Sequence, residues 1–180
     1  MTLEQLKDSL PDYAKDLRLN LESVFGEGGA PGLDQKQIAL VALASAIAAR
    51  HIPLTQAITE FAAGHAEPAE LDGARAAAAI MGMNNVYYRF THSVSDNEYS
   101  TLRASLRMNI MARPGCDKIG FELASLAVSA INGCSACIDS HEKTLRQHGL
   151  GAQPVQSAAR IAAVIHAVAV TLEQSTKGAE

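Results

Sequence analysis

A chain of 180 residues with a formal net charge of -4 and both signs dispersed is long enough for one domain with its own core. It carries no basic stripe interleaved with aromatics of the kind that holds nucleic acid. Apolar residues make up 48% of it, aromatics only 4% and Trp none, so the core falls to Ala, Leu, Ile, Val and Met, which suits closely packed helices.

In chain order, Thr2 with Gln5 three residues on reads as a capping box for a short helix that Pro11 interrupts. The same start has acids where a secretory signal has a basic and then an apolar region, so a cytoplasmic location is expected. A second helix is predicted over residues 13–25. The glycine-rich stretch 26–32 then separates an N-terminal arm, residues 1–33, from a core over 34–172. Asp34 caps a helix running to about residue 50 with a broad apolar face. Pro53 restarts a helix ending near Gly64, and Glu67-Pro68 opens another that runs through Met83 to about Thr91. A polar turn follows, helical character is read from Glu98 to about Met111, and Arg113-Pro114-Gly115-Cys116 breaks it.

A long helix is predicted over about 117–132, stopped by Asn132-Gly133, and a further one from Cys134 or Ser135 to about His148. Pro154 lies near the first turn of a last helix ending around Leu172, and residues 173–180 read as a polar tail. No apolar run reaches the roughly 18 to 20 residues that cross a bilayer, so no membrane span is expected. No segment shows the alternation of a strand, so the fold class is all-α, a single compact multi-helix domain. It contains a degenerate internal repeat: Ser45-Ala46-Ile47 and Ser129-Ala130-Ile131 each end an Ala-rich helix, followed by a second helix and a Pro-led third. The first copy has His51 and Pro53 where the second has Cys134 to Cys137.

Three cysteines cannot staple a multi-bridge scaffold, and a close pair in a reducing compartment is redox-active or metal-binding. Cys134 and Cys137 stand at a predicted helix start, where unpaired amides and the positive end of the macrodipole favour a thiolate. His141 follows Cys137 by one helical turn on the same face and can accept or relay a proton. Cys134, nearer the helix tip, is expected to be the more exposed sulfur and the one to meet another protein. Glu122, on the preceding helix, falls close to His141 if the two helices form an antiparallel hairpin about Gly133. Burial would raise its pKa. A buried pair of structural thiols and a zinc site from Cys134, Cys137 and His141 remain open, although structural zinc wants four ligands. Cys116 has no neighbouring His or partner and reads as a bystander. His51, His65, His92, His148 and His166 read as capping, surface or core residues, and Met81 and Met83 as packing, with sulfur near the site as the alternative.

The order Glu122, Cys134, Cys137, His141 resembles the active-site pattern of the alkylhydroperoxidase D (AhpD) family, within the carboxymuconolactone decarboxylase-like superfamily. The segments Leu10-Pro11-Asp12-Tyr13-Ala14-Lys15-Asp16, Ala79-Ile80-Met81-Gly82-Met83-Asn84-Asn85 and Leu106-Arg107-Met108-Asn109-Ile110 look like that family too. The resemblance implies an all-helical homotrimer that reduces organic hydroperoxides with no metal or flavin bound. It also implies electrons from dihydrolipoamide on a lipoylated 2-oxoacid dehydrogenase subunit, and recycling of a peroxiredoxin partner, alkyl hydroperoxide reductase C. By position, Cys137 would pass through sulfenic acid, and Cys134 would donate a proton, close the disulfide and exchange with partners. Glu122 and His141 would relay protons. The departure is Ala136, where members of the family carry a His immediately before the second Cys. Two other functions stay in play: a protein-disulfide reductase with little peroxidase activity, and a non-redox, decarboxylase-like helical protein or assembly subunit.

Overall fold

In the computed structural model, which describes residues 1–175, Thr2 opens α1 (Leu3–Asp8) through a reciprocal capping box. The Gln5 N–H donates to Thr2 Oγ1 at 3.2 Å and the Thr2 N–H to Gln5 Oε1 at 3.0 Å. Pro11 ends that turn, and α2 (Lys15–Phe25) follows. Asp34 caps α3 (Gln35–Ala49) in the same reciprocal way with Gln37. Then come α4 (Ile52–Ala63), α5 (Pro68–Ser93), the four-residue α6 (Glu98–Thr101), α7 (Lys118–Ile131), α8 (Ser135–Gln147) and α9 (Ala152–Gln174). Among the described residues there is no strand.

The central pair is α3 and α7, each buried along most of its length, from Ile38 to Ala46 and from Gly120 to Ser129. Both α5 and α9 pack against both of them, while α4 pairs with α3 and α8 with α7. This is the repeat read from the sequence, with α3-α4-α5 mirrored by α7-α8-α9. Asp34 and Asp117 cap the first helices, and His51 and Cys134 cap the second. The residue before each of those second caps is left-handed, Arg50 with φ 64° and Gly133 with φ 67°. A residue with a Cβ is strained there by about 1–2 kcal/mol. Arg50→Gly should therefore raise the urea midpoint by the equivalent of about 1 kcal/mol, and Gly133→Ala should lower it by a similar amount. A Cβ at Gly133 meets nothing within 4 Å, so its cost is backbone strain alone.

The arm joins the core through Leu6, Leu10, Leu21 and Val24, with α1 on α4 and α2 on α9. Ser157 Oγ donates to the Pro31 carbonyl at 2.9 Å and ties the glycine-rich loop to α9.

Two readings are corrected. The helix expected from Glu98 to Met111 is only α6, after which irregular chain leads to a single turn at Asn109–Ala112. No residue from 98 to 112 is buried in the chain, so nothing offsets the nucleation cost of a longer helix there. The last helix runs on to Gln174, and residues 176–180 of the expected tail lie outside the described residues. By length and average composition α9 is long and apolar enough to cross a membrane, although Arg160 and His166 interrupt its apolar run, as read from the sequence. Its face of Ala158, Ile161, Ala162, Ile165, Val168 and Ala169 is spent in the protein core.

Candidate active site

The site is built on the turn between α7 and α8. Gly133, left-handed, ends α7 in a Schellman arrangement: the Cys134 N–H donates to Ser129 O at 3.1 Å and the Gly133 N–H to Ala130 O at 3.2 Å. The next residue is already the cap of α8, since Cys134 Sγ accepts from the Cys137 N–H at 3.4 Å. Cys134 and Cys137 are joined as a disulfide, with Cα atoms 5.3 Å apart, inside the ordinary range.

The exposure of the two sulfurs is the reverse of the expectation. Cys134 is fully buried, whereas Cys137 is 7% exposed and lines a cavity of about 410 Å³. The reason is the Schellman turn, which holds the first cysteine to the end of α7 by its own N–H. The second sits inside the first turn of α8, beside Ala136, Ser140 and His141 on the cavity wall.

His141 and Glu122 meet as the hairpin count from Gly133 allows. Nδ1 of His141 and Oε2 of Glu122 are 2.6 Å apart, and both residues are buried. The other carboxylate oxygen, Oε1, lies 2.6 Å from Nζ of Lys118, four residues earlier on α7. Burial pushes the Glu122 carboxyl up, but hydrogen bonds from His141 and Lys118 outweigh it and hold it below its ordinary range. Burial by itself supported the opposite direction. With a carboxylate at Oε2, Nδ1 of His141 carries the donated proton, and Nε2 lies 3.2 Å from Met81 Sδ.

The opposite wall belongs to α5, whose Met81, Asn84, Tyr88 and His92 recur at helical spacing, with Met108 and Met111 from the irregular segment. Apart from Met81, none of these was assigned to the site from the sequence, nor was Lys118. The i,i+4 spacing of Lys118 and Glu122 was a usable signal. The spacing along α5 was visible as well, but not that α5 packs on α8.

Cys116 lies apart from the pair. A Cβ at Gly73 would stand 2.5 Å from its sulfur, so the two are packed together, and burial and then Asp117 push its thiol up to about 11. His51 caps α4, its Nδ1 accepting from the Leu54 N–H at 3.1 Å. Among the described residues, no group of three or more His, Cys, Asp or Glu side chains is placed to hold a metal ion.

Residues 97–176 match the carboxymuconolactone decarboxylase family. The chain is also similar over nearly its whole length to curated proteins. It is 52% identical over 173 residues to an alkyl hydroperoxide reductase AhpD of Gluconacetobacter diazotrophicus, covering 96% of this chain and 93% of the relative. It is 52% identical over the same length to that of Rhodopseudomonas palustris, covering 96% and 94%. With the AhpD of Streptomyces avermitilis it shares 50% identity over 180 residues, the full length of both. Likeness of this extent, on an all-helical chain with a Cys pair at a helix start, makes the protein a member of the AhpD family within the carboxymuconolactone decarboxylase-like superfamily.

Proposed function

We propose that the protein is a thiol peroxidase that reduces alkyl and other organic hydroperoxides through a Cys134-Cys137 dithiol/disulfide cycle. The observation that carries this reading is that Cys137 shares a cavity with His141, whose other ring nitrogen is held by the buried Glu122. The amide ends at the start of α8 favour a thiolate at Cys137. That thiolate attacks the terminal peroxide oxygen, the O–O bond breaks, and the alkoxide takes a proton from the Cys134 thiol and leaves as alcohol. Cys134 sulfur then attacks the Cys137 sulfenic acid, and water leaves with a proton relayed by His141 and Glu122. One hydroperoxide and two thiols become one alcohol, one water and one disulfide.

The electrons come from dihydrolipoamide, the lipoyl group of a 2-oxoacid dehydrogenase subunit, and pass on by the same exchange to a peroxiredoxin of the alkyl hydroperoxide reductase C type. Reductant arriving by the cavity meets Cys137 and releases Cys134; the second lipoyl thiol then frees Cys137 and leaves as lipoamide. Burial favours this order over first attack at Cys134, which is fully buried. A cytoplasmic homotrimer belongs to the same proposal. Val86, Phe90, Leu102 and Ile110 are exposed on one chain, and subunit contact would cover such apolar surface.

Protein supplied with dihydrolipoamide should consume tert-butyl hydroperoxide with equal formation of tert-butanol, followed by lipoamide absorbance. No consumption by protein with both thiols free would remove the peroxidase claim. A second reading, a disulfide reductase with little peroxidase activity, is favoured by Ala136, which puts a methyl group on the cavity wall where a His relay would stand. It predicts that hydroxyethyl disulfide is reduced while hydroperoxide is not. A non-redox, decarboxylase-like function predicts activity that survives loss of both cysteines.

A further inference from the structure

Two adjacent amides on α5 are treated in opposite ways by the fold. Asn85 is fully engaged: its Nδ2 donates to Ser129 Oγ at 2.9 Å and its Oδ1 accepts from Asn132 Nδ2 at 3.0 Å. Asn132 in turn accepts at its carbonyl from Arg89 Nη1 at 2.6 Å. That amide staples α5 to the end of α7, immediately before the cysteine turn.

Asn84 is as well buried, at 4% exposure, yet its Oδ1 has no hydrogen-bond partner. Its Nδ2 has only Met111 Sδ at 3.8 Å, a weak acceptor. Buried polar atoms are almost always paired, and an orphan calls for a reason. Asn84 is among the residues that line the cavity shared by Cys137 and His141. A carboxamide offers one acceptor and one donor side by side, which is the complement of an O–O–H group.

We propose that the Asn84 carboxamide binds the O–O–H end of the hydroperoxide: Oδ1 accepts the terminal O–H, and Nδ2–H donates to the alkyl oxygen. The assignment rests on the peroxidase reading above. In the attack step, the thiolate pair of Cys137 forms the S–O bond and the O–O pair departs on the alkyl oxygen. The Nδ2–H faces that oxygen as charge builds on it, until the proton from Cys134 completes the alcohol. Sulfur is oxidised and the peroxide reduced by two electrons, with no further reactant. A hydrogen bond that strengthens on the leaving oxygen acts on the chemical step as well as on binding.

Asn84→Leu is nearly isosteric and deletes both polar ends. Pre-reduced wild-type and variant protein are mixed with tert-butyl hydroperoxide and, separately, with diamide, which oxidises the same dithiol without an O–O–H group. The hydroperoxide rate constant should fall roughly tenfold to a hundredfold, the range for a hydrogen bond to a charged group, while the diamide rate stays at the wild-type value. Thermal stability should equal or exceed wild type, because an unsatisfied buried acceptor has been removed; a purely structural amide would lower it. If the leucine variant does not fold, the same comparison on Asn84→Ala decides. Equal hydroperoxide rates in variant and wild type, or equal losses with both oxidants, overturn the assignment and leave the peroxidase reading standing. A wild-type dithiol that reacts with diamide but not with hydroperoxide overturns both.

Discussion

Cys137→Ser is expected to abolish hydroperoxide turnover, with a loss of roughly a thousandfold or more, the scale seen when a nucleophile that cannot be replaced is removed. A hydroxyl at that position has no accessible anion near neutral pH, so the helix start that favours a thiolate has nothing to act on. Cys134→Ser should fail differently. Its Cys137 should still attack, consume one equivalent of hydroperoxide and stop as a sulfenic acid, because the serine oxygen is a poor nucleophile towards it. Single-turnover consumption with a sulfenic-acid trap separates the two: no label for Cys137→Ser, and stoichiometric label at residue 137 for Cys134→Ser. The opposite pattern would transfer the peroxide role to the buried sulfur.

Glu122→Gln is expected to slow turnover about a hundredfold, the lower end of what positioned acid-base groups contribute. It touches neither cysteine. Its carboxylate orients His141 through the 2.6 Å contact at Nδ1 and takes the Lys118 ammonium on its other oxygen, whereas an amide has one acceptor oxygen and can serve only one of the two donors. The variant should also lose about 3 kcal/mol of stability, the low end for breaking a buried pair, because Lys118 is half exposed and screened by solvent.

The pH dependence follows from the direction of the Glu122 shift. Its carboxyl is held below the ordinary value of 4.5 in the folded chain. The stabilisation is therefore fully present above the unfolded value and is lost as pH falls through the lower folded one. The stability gap between wild type and Glu122→Gln, read from melts between pH 7 and pH 3, should close towards the acid end. A gap that widens with acid would mean that burial, and not the His141 and Lys118 bonds, governs the carboxyl.

Much of the site was legible because it is local. The start of α8 at the cysteine pair, the spacing of Cys137 and His141, and the return of Glu122 across a tight hairpin all depend on residues close to Gly133. Counting along two helices suffices there. What was not legible depends on how hydrogen bonds and distant elements compete. The order of sulfur burial is set by a Schellman turn that ties Cys134 to Ser129, whereas proximity to a helix tip suggests exposure. The Glu122 direction is set by the hydrogen bonds from His141 and Lys118, which together reverse the effect of burial. The cavity wall from Met81 to His92 exists only because α5 crosses α8. The segment after α6 shows the complementary failure, since its composition suits a helix but no residue within it is buried. The repeat was visible in three-residue echoes. Its exactness at the caps, Asp34 with Asp117 and His51 with Cys134, shows how one copy keeps the turn and the other adds the sulfur chemistry.

The dithiol cycle is tested by the mass of the intact protein, followed by peptide mapping, across one round of oxidation and reduction. Reduced protein should show two free thiols at residues 134 and 137, and adding tert-butyl hydroperoxide should give a loss of two hydrogens and a mapped Cys134-Cys137 bridge. Dihydrolipoamide should return both thiols, with Cys116 unchanged throughout. Thiols at 134 and 137 that persist in the presence of hydroperoxide, or a bridge that dihydrolipoamide does not open, would contradict the cycle.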